Sequence, residues 1–147
     1  IDGIISMAGN GEMGSFLEMT DEGYQMVLNN KVMGQVNLAR IGMDYLNEGG
    51  SITLTSGQAA NHPMPGTAAI AMGVSAINAF VATVSLEMKD GKKINAVSPG
   101  MVKETMDLWG VDSSNGIPAA EVATYYEASL TAGVNGEVLN AVGGQYE

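Results

Sequence analysis

Four short apolar runs constrain this chain more than any other feature: residues 3–7 (GIISM), Ser51–Thr55 (SITLT), 93–97 (KINAV) and 137–142 (EVLNAV). They stand far apart, and the first three lack the apolar–polar alternation of a strand with one wet face. They read as strands buried on both faces of a parallel sheet. Helical patterns fill the gaps. Thr20-Asp21-Glu22 supplies N-cap chemistry for a helix running to about residue 46, with apolar positions at Met26, Val27, Met33, Val36, Leu38, Ile41 and Leu46, and the glycines of "NEGG" close it. A second helix is expected over about 67–88 and a third over about 119–132, after Pro118, whose fixed φ suits a first helical turn. Strand–helix–strand units with connections this long require right-handed crossovers. The expected fold is α/β: a parallel sheet between helical layers, in one domain covering 1–147.

Composition excludes several function classes. The chain has 147 residues, only six of them Lys or Arg, and a net charge of −10. Too few cations exist to neutralise a nucleic-acid backbone, and an anionic bilayer would repel the surface. There is no Cys, hence no thiol nucleophile, and a single His62 cannot build a His-rich metal site. No uninterrupted run of about 18 apolar residues and no signal-peptide pattern is present, so a cytoplasmic protein without a membrane partner is expected.

In open parallel sheets ligands sit beyond the carboxyl ends of the strands. Those ends here read "AGNG" (8–11), "SGQ" (56–58) and "SPG" (98–100), all small or polar, as a backbone approaching a ligand requires. "GNGEMG" is a literal G-x-G-x-x-G over Gly9, Gly11 and Gly14. Its context fails for a dinucleotide loop: Glu12 places an anion where phosphate would sit, the helix cap comes later at Thr20, and no second strand ending in Asp or Glu follows.

Taken in order, several segments resemble the short-chain dehydrogenase/reductase family. "IDGIISMAG" is similar to its strand ending in Asn-Asn-Ala-Gly, with Ala8-Gly9 kept and Ser6-Met7 replacing the Asn pair. "GGSITLTSG" resembles its fifth strand, "INAVSPGMV" its sixth and "NGEVLNAVGG" its closing strand, with Val142 in place of the usual Asp. The resemblance implies a Rossmann-like, doubly wound, three-layer αβα domain, of which this chain is the portion from strand four onward. The earlier strands and their phosphate-binding glycine loop would precede Ile1. It also implies NAD or NADP as cofactor, with Ala8, Gly9, Ser56, Pro99, Gly100 and Val102 as cofactor-binding positions.

The family's chemistry uses a Tyr-x-x-x-Lys pair on one helix face, where the cation lowers a phenol pKa of about 10. An upstream Ser orients the carbonyl, and an Asn on the preceding long helix completes a proton relay. Aligned through "SAINAF", the Tyr position falls on Ile70 and the Lys position on Val74. The Ser position falls on Gly57 beside Ser56, and the Asn position, counted from Gly34, falls on Lys31. No Tyr lies between Tyr45 and Tyr125 and no Lys between Lys31 and Lys89, so no shift of register restores the pair. Ser56 is the one weak catalytic candidate, and Asn29 or Asn30 could reach the Asn position through a bulge. Glu104 stands where the family usually places a cofactor-contacting Thr, and its charge would repel pyrophosphate unless it points away. The chain looks like a branch of short bacterial members in which the active-site Tyr is replaced.

Two readings follow. One is an oxidoreductase moving a hydride between NAD(P) and a small carbonyl or alcohol, with a non-standard proton donor. The other is a non-catalytic relative serving as a cofactor-binding or oligomeric scaffold. Ala68, Ala69, Ala76, Ala79, Ala82 and Gly73 would permit close approach in a homo-oligomer built on the helices around 22–46 and 67–88. Trp109, with Met106 and Leu108, could cover a substrate or merely anchor a loop.

Overall fold

The computed structural model describes residues 1–146. Strands β1 (Gly3–Ile5), β2 (Ser51–Thr55), β3 (Lys93–Pro99) and β4 (Val138–Ala141) form one wholly parallel sheet in the order β1-β2-β3-β4. Ile52 and Leu54 of β2 face the same side as Ile94 and Ala96 of β3. There they join Ala39, Ile77 and Val81 from the helices in one core. The opposite face carries Val97 and Ala141, packed with Ile117, Val122 and Tyr126. Helices therefore cover both faces, as the expected three-layer αβα arrangement requires. β2 and β3 are buried on both sides, yet β2 alternates after all: Ile52 and Leu54 face one helical layer and Ser51, Thr53 and Thr55 the other. β1 is the exception: Ile5 is exposed, and no strand among the described residues pairs with its outer edge.

The first long helix is not a single α-helix. It comprises α1 (Asp21–Val27), a π-helical segment over Leu28–Met33, and α2 (Gly34–Gly42). Thr20 caps α1, its Oγ1 accepting from the Gly23 N–H at 3.2 Å. The second helix, α3 (Ala68–Val84), packs on β3, β2, α1 and the π segment, and the third, α5 (Ala119–Thr131), on β2, β3 and β4. Between β3 and α5 lies α4 (Lys103–Leu108), which the sequence reading leaves out.

Ala68–Glu87 is long and apolar enough by composition to cross a bilayer, although Ser75, Asn78, Thr83 and Ser85 interrupt the apolar run. Here Ala69, Gly73, Val74, Ile77 and Val81 form one buried face, while Met72, Ala79, Ala82 and Leu86 are exposed. That burial also sorts the expected interface residues. Ala69 and Gly73 face their own chain, and a methyl on Gly73 would stand 2.7 Å from Val27 Cγ1; Ala68, Ala79 and Ala82 face outward.

The α5 face of the sheet is polar. Thr53 Oγ1 pairs with Ser129 Oγ, Thr55 Oγ1 with the Tyr126 hydroxyl at 2.7 Å, and Asn95 Nδ2 donates to the Val134 carbonyl at 2.9 Å. These hydrogen bonds satisfy groups that burial would otherwise penalise.

Candidate functional site

A cavity of about 290 Å³ opens at the carboxyl ends of β2 and β3. All four positions aligned with the family's catalytic tetrad line it: Lys31, Gly57, Ile70 and Val74. The four expected positions therefore meet at one place in space. Of the positions expected to meet a cofactor, Ser56, Pro99 and Gly100 line this cavity too. Ala8 is exposed at the end of β1, and Gly9 packs on the Lys31 stem. Val102 instead helps line a separate apolar cavity of about 490 Å³, with Ile5, Met7, Val122, Tyr126 and Leu130.

Ser56 is buried and donates its hydroxyl proton to the Val74 carbonyl at 3.1 Å, so that proton is already engaged. Gln58, next to it, donates to Ser98 O at 2.9 Å, Ser98 Oγ at 3.0 Å and Asn140 Oδ1 at 2.8 Å, tying the β2 loop to β3 and β4. Asn29 and Asn30 are both exposed, and Asn30 Nδ2 turns back to the Met26 carbonyl. The π segment thus presents Lys31, and neither Asn, to the cavity.

The glycine-rich loop forms a wall of the same cavity. No helix starts at Gly14; its N–H donates to the Gly66 carbonyl at 2.9 Å instead. Met13 reaches the cavity, and a methyl on Gly11 would stand 3.0 Å from Ile70 Cγ1. Glu104 points away: its Oε2 accepts from the Ala119 N–H at 2.9 Å, at the start of α5. There the carboxylate satisfies one orphan donor and complements the helix dipole. Trp109 lines the cavity while remaining largely exposed, a partial cover at its mouth.

Two titratable groups line this mostly apolar space. Burial holds the Lys31 ammonium below its ordinary pKa, with no compensating carboxylate among the described residues. Burial pushes the Tyr146 phenol up, and a hydrogen bond with the Met101 backbone partly offsets this. The His62 ring rests on Tyr146 with centroids 4.5 Å apart. Tyr146 is absent from the sequence reading; it enters the site only because the turn Gly144–Tyr146 folds back over β3 beyond the closing strand. Among the described residues no cluster of His, Asp and Glu could hold a metal ion.

With this geometry established, known proteins supply the class. The sequence profile of the family described as Enoyl-(Acyl carrier protein) reductase matches residues 1–141. The chain is 28% identical over 144 residues to a hydroxynaphthalene reductase of Aspergillus fumigatus, covering 97% of this chain and 52% of that protein. It is 33% identical over 110 residues to a versicolorin reductase of Emericella nidulans, covering 74% and 42% respectively. Among solved structures it superposes on the protein lin1944 from Listeria innocua with a TM-score of 0.89 and 34% identity, covering 95% of this chain and 71% of that one. A small-chain dehydrogenase in complex with NADPH superposes with a TM-score of 0.87 and 25% identity, covering 98% and 73%. The chain belongs to the short-chain dehydrogenase/reductase family. It spans about half the length, 52% and 42%, of the two reductases named above.

Proposed function

We propose that this chain is the substrate-side portion of an NAD(P)-dependent oxidoreductase acting on a carbonyl or alcohol with an apolar body. The supporting observation is the convergence of Lys31, Gly57, Ile70 and Val74 with Ser56, Pro99 and Gly100 on one cavity at the strand ends. In this reading Ser56, Gly57, Pro99 and Gly100 hold the nicotinamide end of the cofactor, where small residues leave room for a ring. The Gly9–Gly14 loop does not fit the pyrophosphate end: it carries Glu12, and no helix starts at Gly14. When bound, the reduced cofactor supplies the hydride. Met13, Ile70, Val74 and Trp109 favour an apolar substrate and exclude water around its carbonyl.

Steady-state assays of the full-length protein with NADH and NADPH over a panel of aromatic and aliphatic ketones and aldehydes test this. Turnover with at least one member is expected. Absence of turnover, together with absence of cofactor binding by calorimetry, would reject the reading.

A second reading is a non-catalytic, cytoplasmic homologue acting as a cofactor-binding or oligomeric scaffold. It is favoured by Ile70 and Val74 at the Tyr and Lys positions, and by exposed apolar residues on the outer helices, Leu38, Ile41 and Met72 among them. A strict monomer at micromolar concentration in light scattering would count against the oligomer.

A further inference from the structure

We infer that Lys31 is the proton donor of this cavity, delivering its ammonium proton to the carbonyl oxygen of the bound substrate. The inference rests on the oxidoreductase reading above. A fold that has lost its phenol at residue 70 still needs a group that can give up a proton where the carbonyl oxygen develops charge. Lys31 lines the cavity from the middle of the π segment, and such local departures from α geometry are frequent at functional sites. Its stem runs past two glycines: Cγ lies 3.2 Å from the place of a methyl on Gly9, and Cδ lies 3.7 Å from that of a methyl on Gly73. Its backbone is fixed, since the Gln35 side chain donates to the Lys31 carbonyl at 3.2 Å. A cation thus held in an apolar cavity, without a partner carboxylate, is under-solvated, and an amine in that state transfers protons nearer neutral pH than a surface lysine does.

The step balances. A bound reduced nicotinamide dinucleotide would supply hydride to the carbonyl carbon, and Lys31 would give its proton to the oxygen that receives the C=O π pair. This leaves an alcohol, an oxidised cofactor and a neutral amine that solvent reprotonates. The other ionisable groups nearby are Tyr146, lining the cavity, His62 stacked on Tyr146, and Glu12, whose carboxylate lies against Gly23 on α1. Tyr146 is the competing donor, but burial moves its phenol away from neutral pH.

The test uses the full-length protein in two measurements. Competitive acetylation with peptide mapping from pH 6 to 11 reads each lysine's titration without turnover; Lys31 is expected to titrate below Lys89, Lys92, Lys93 and Lys103. Kinetics of Lys31→Met and Lys31→Gln are expected to show kcat reduced by roughly 10²–10⁴-fold, the usual worth of a positioned acid, with the cofactor Kd within about threefold of wild type. Wild-type kcat/KM for reduction should fall as pH rises through the Lys31 titration, and both variants should lose that limb. Tyr146→Phe should lose less than tenfold, and Lys89→Met, a remote charge control, nothing. Variant kcat within fivefold of wild type, or a Lys31 titration coincident with the surface lysines, overturns the assignment while leaving the oxidoreductase reading intact. A wild-type protein with neither turnover nor cofactor binding instead removes that reading and the assignment with it.

Discussion

The Gln35 side-chain amide donates to the backbone carbonyl of Lys31 at 3.2 Å, bridging the π segment to the sheet. The same nitrogen donates to the Thr55 carbonyl at 2.8 Å, and Oε1 accepts from the Thr55 N–H at 2.7 Å. That last bond fixes which end of the amide is which, because a backbone N–H requires an acceptor. One buried side chain thus carries backbone valences from two elements, the end of β2 and the turn that presents Lys31. Gln35→Met keeps the volume and removes all three bonds. Each buried group left unsatisfied costs about 1–3 kcal/mol. The expected loss is about 2 kcal/mol or more in urea unfolding, and a variant within about 0.5 kcal/mol of wild type would show that the clamp is dispensable.

Gly73 tests how tightly α3 is seated against α1. Glycine to alanine in a helix interior ordinarily stabilises by up to about 1 kcal/mol. Here the added methyl would lie 2.7 Å from Val27 Cγ1, closer than carbon atoms approach. Overpacking of this kind costs about 1–3 kcal/mol, so Gly73→Ala should lower stability despite its better propensity. A raised urea midpoint would mean that the two helices separate freely.

The contrast between these two sites and the rest of the chain shows what the sequence could disclose. β2 and β3 were legible as short β-branched and apolar runs set far apart, but the polar face they turn to α5, with Thr53, Thr55 and Asn95, was not. α5 was legible through Pro118, expected to suit its first turn and found just before it, at the N-cap. α4 was not, because its six residues have no side-chain cap; it is held from outside by the Val102–Ile117 bridge and the Lys103 N–H to Ile117 carbonyl bond. The tetrad positions could be aligned, but an alignment reports Lys31 only as a missing Asn. Its isolation from carboxylates, and the arrival of Tyr146 from the far end of the chain, are tertiary facts. The bond between Gln35 and Thr55 likewise joins residues twenty apart, which no local pattern encodes.

Glu104 provides a test of the displaced charge. Its bond to the Ala119 N–H caps α5 from another helix. Glu104→Ala removes one charge-assisted bond and a favourable dipole interaction, at an expected cost of about 0.5–1.5 kcal/mol in thermal or urea unfolding. Glu104→Gln can keep the acceptor and should cost less than the alanine variant. Equal losses would show that the charge alone matters.

Lys31 should carry a stability penalty that Lys31→Met relieves. Burial lowers its folded-state pKa beneath the unfolded value, so between those two values the unfolded chain binds more protons than the folded one. Stability must then rise with pH across that window, which ends near the ordinary lysine pKa of 10.5. Below the window the folded state bears the full cost of an under-solvated ammonium; above 10.5 that cost is gone. Met has a similar reach, carries no charge, and suits a cavity walled by Met13, Ile70 and Val74. Urea midpoints taken from pH 7 to 10.5 should therefore show Lys31→Met more stable than wild type at pH 7, with the difference shrinking as pH rises. Groups outside this cavity titrate alike in both proteins and cancel in the comparison. A wild type that is as stable as the variant at pH 7, with a flat difference up to pH 10.5, would mean that the ammonium reaches solvent in the folded protein.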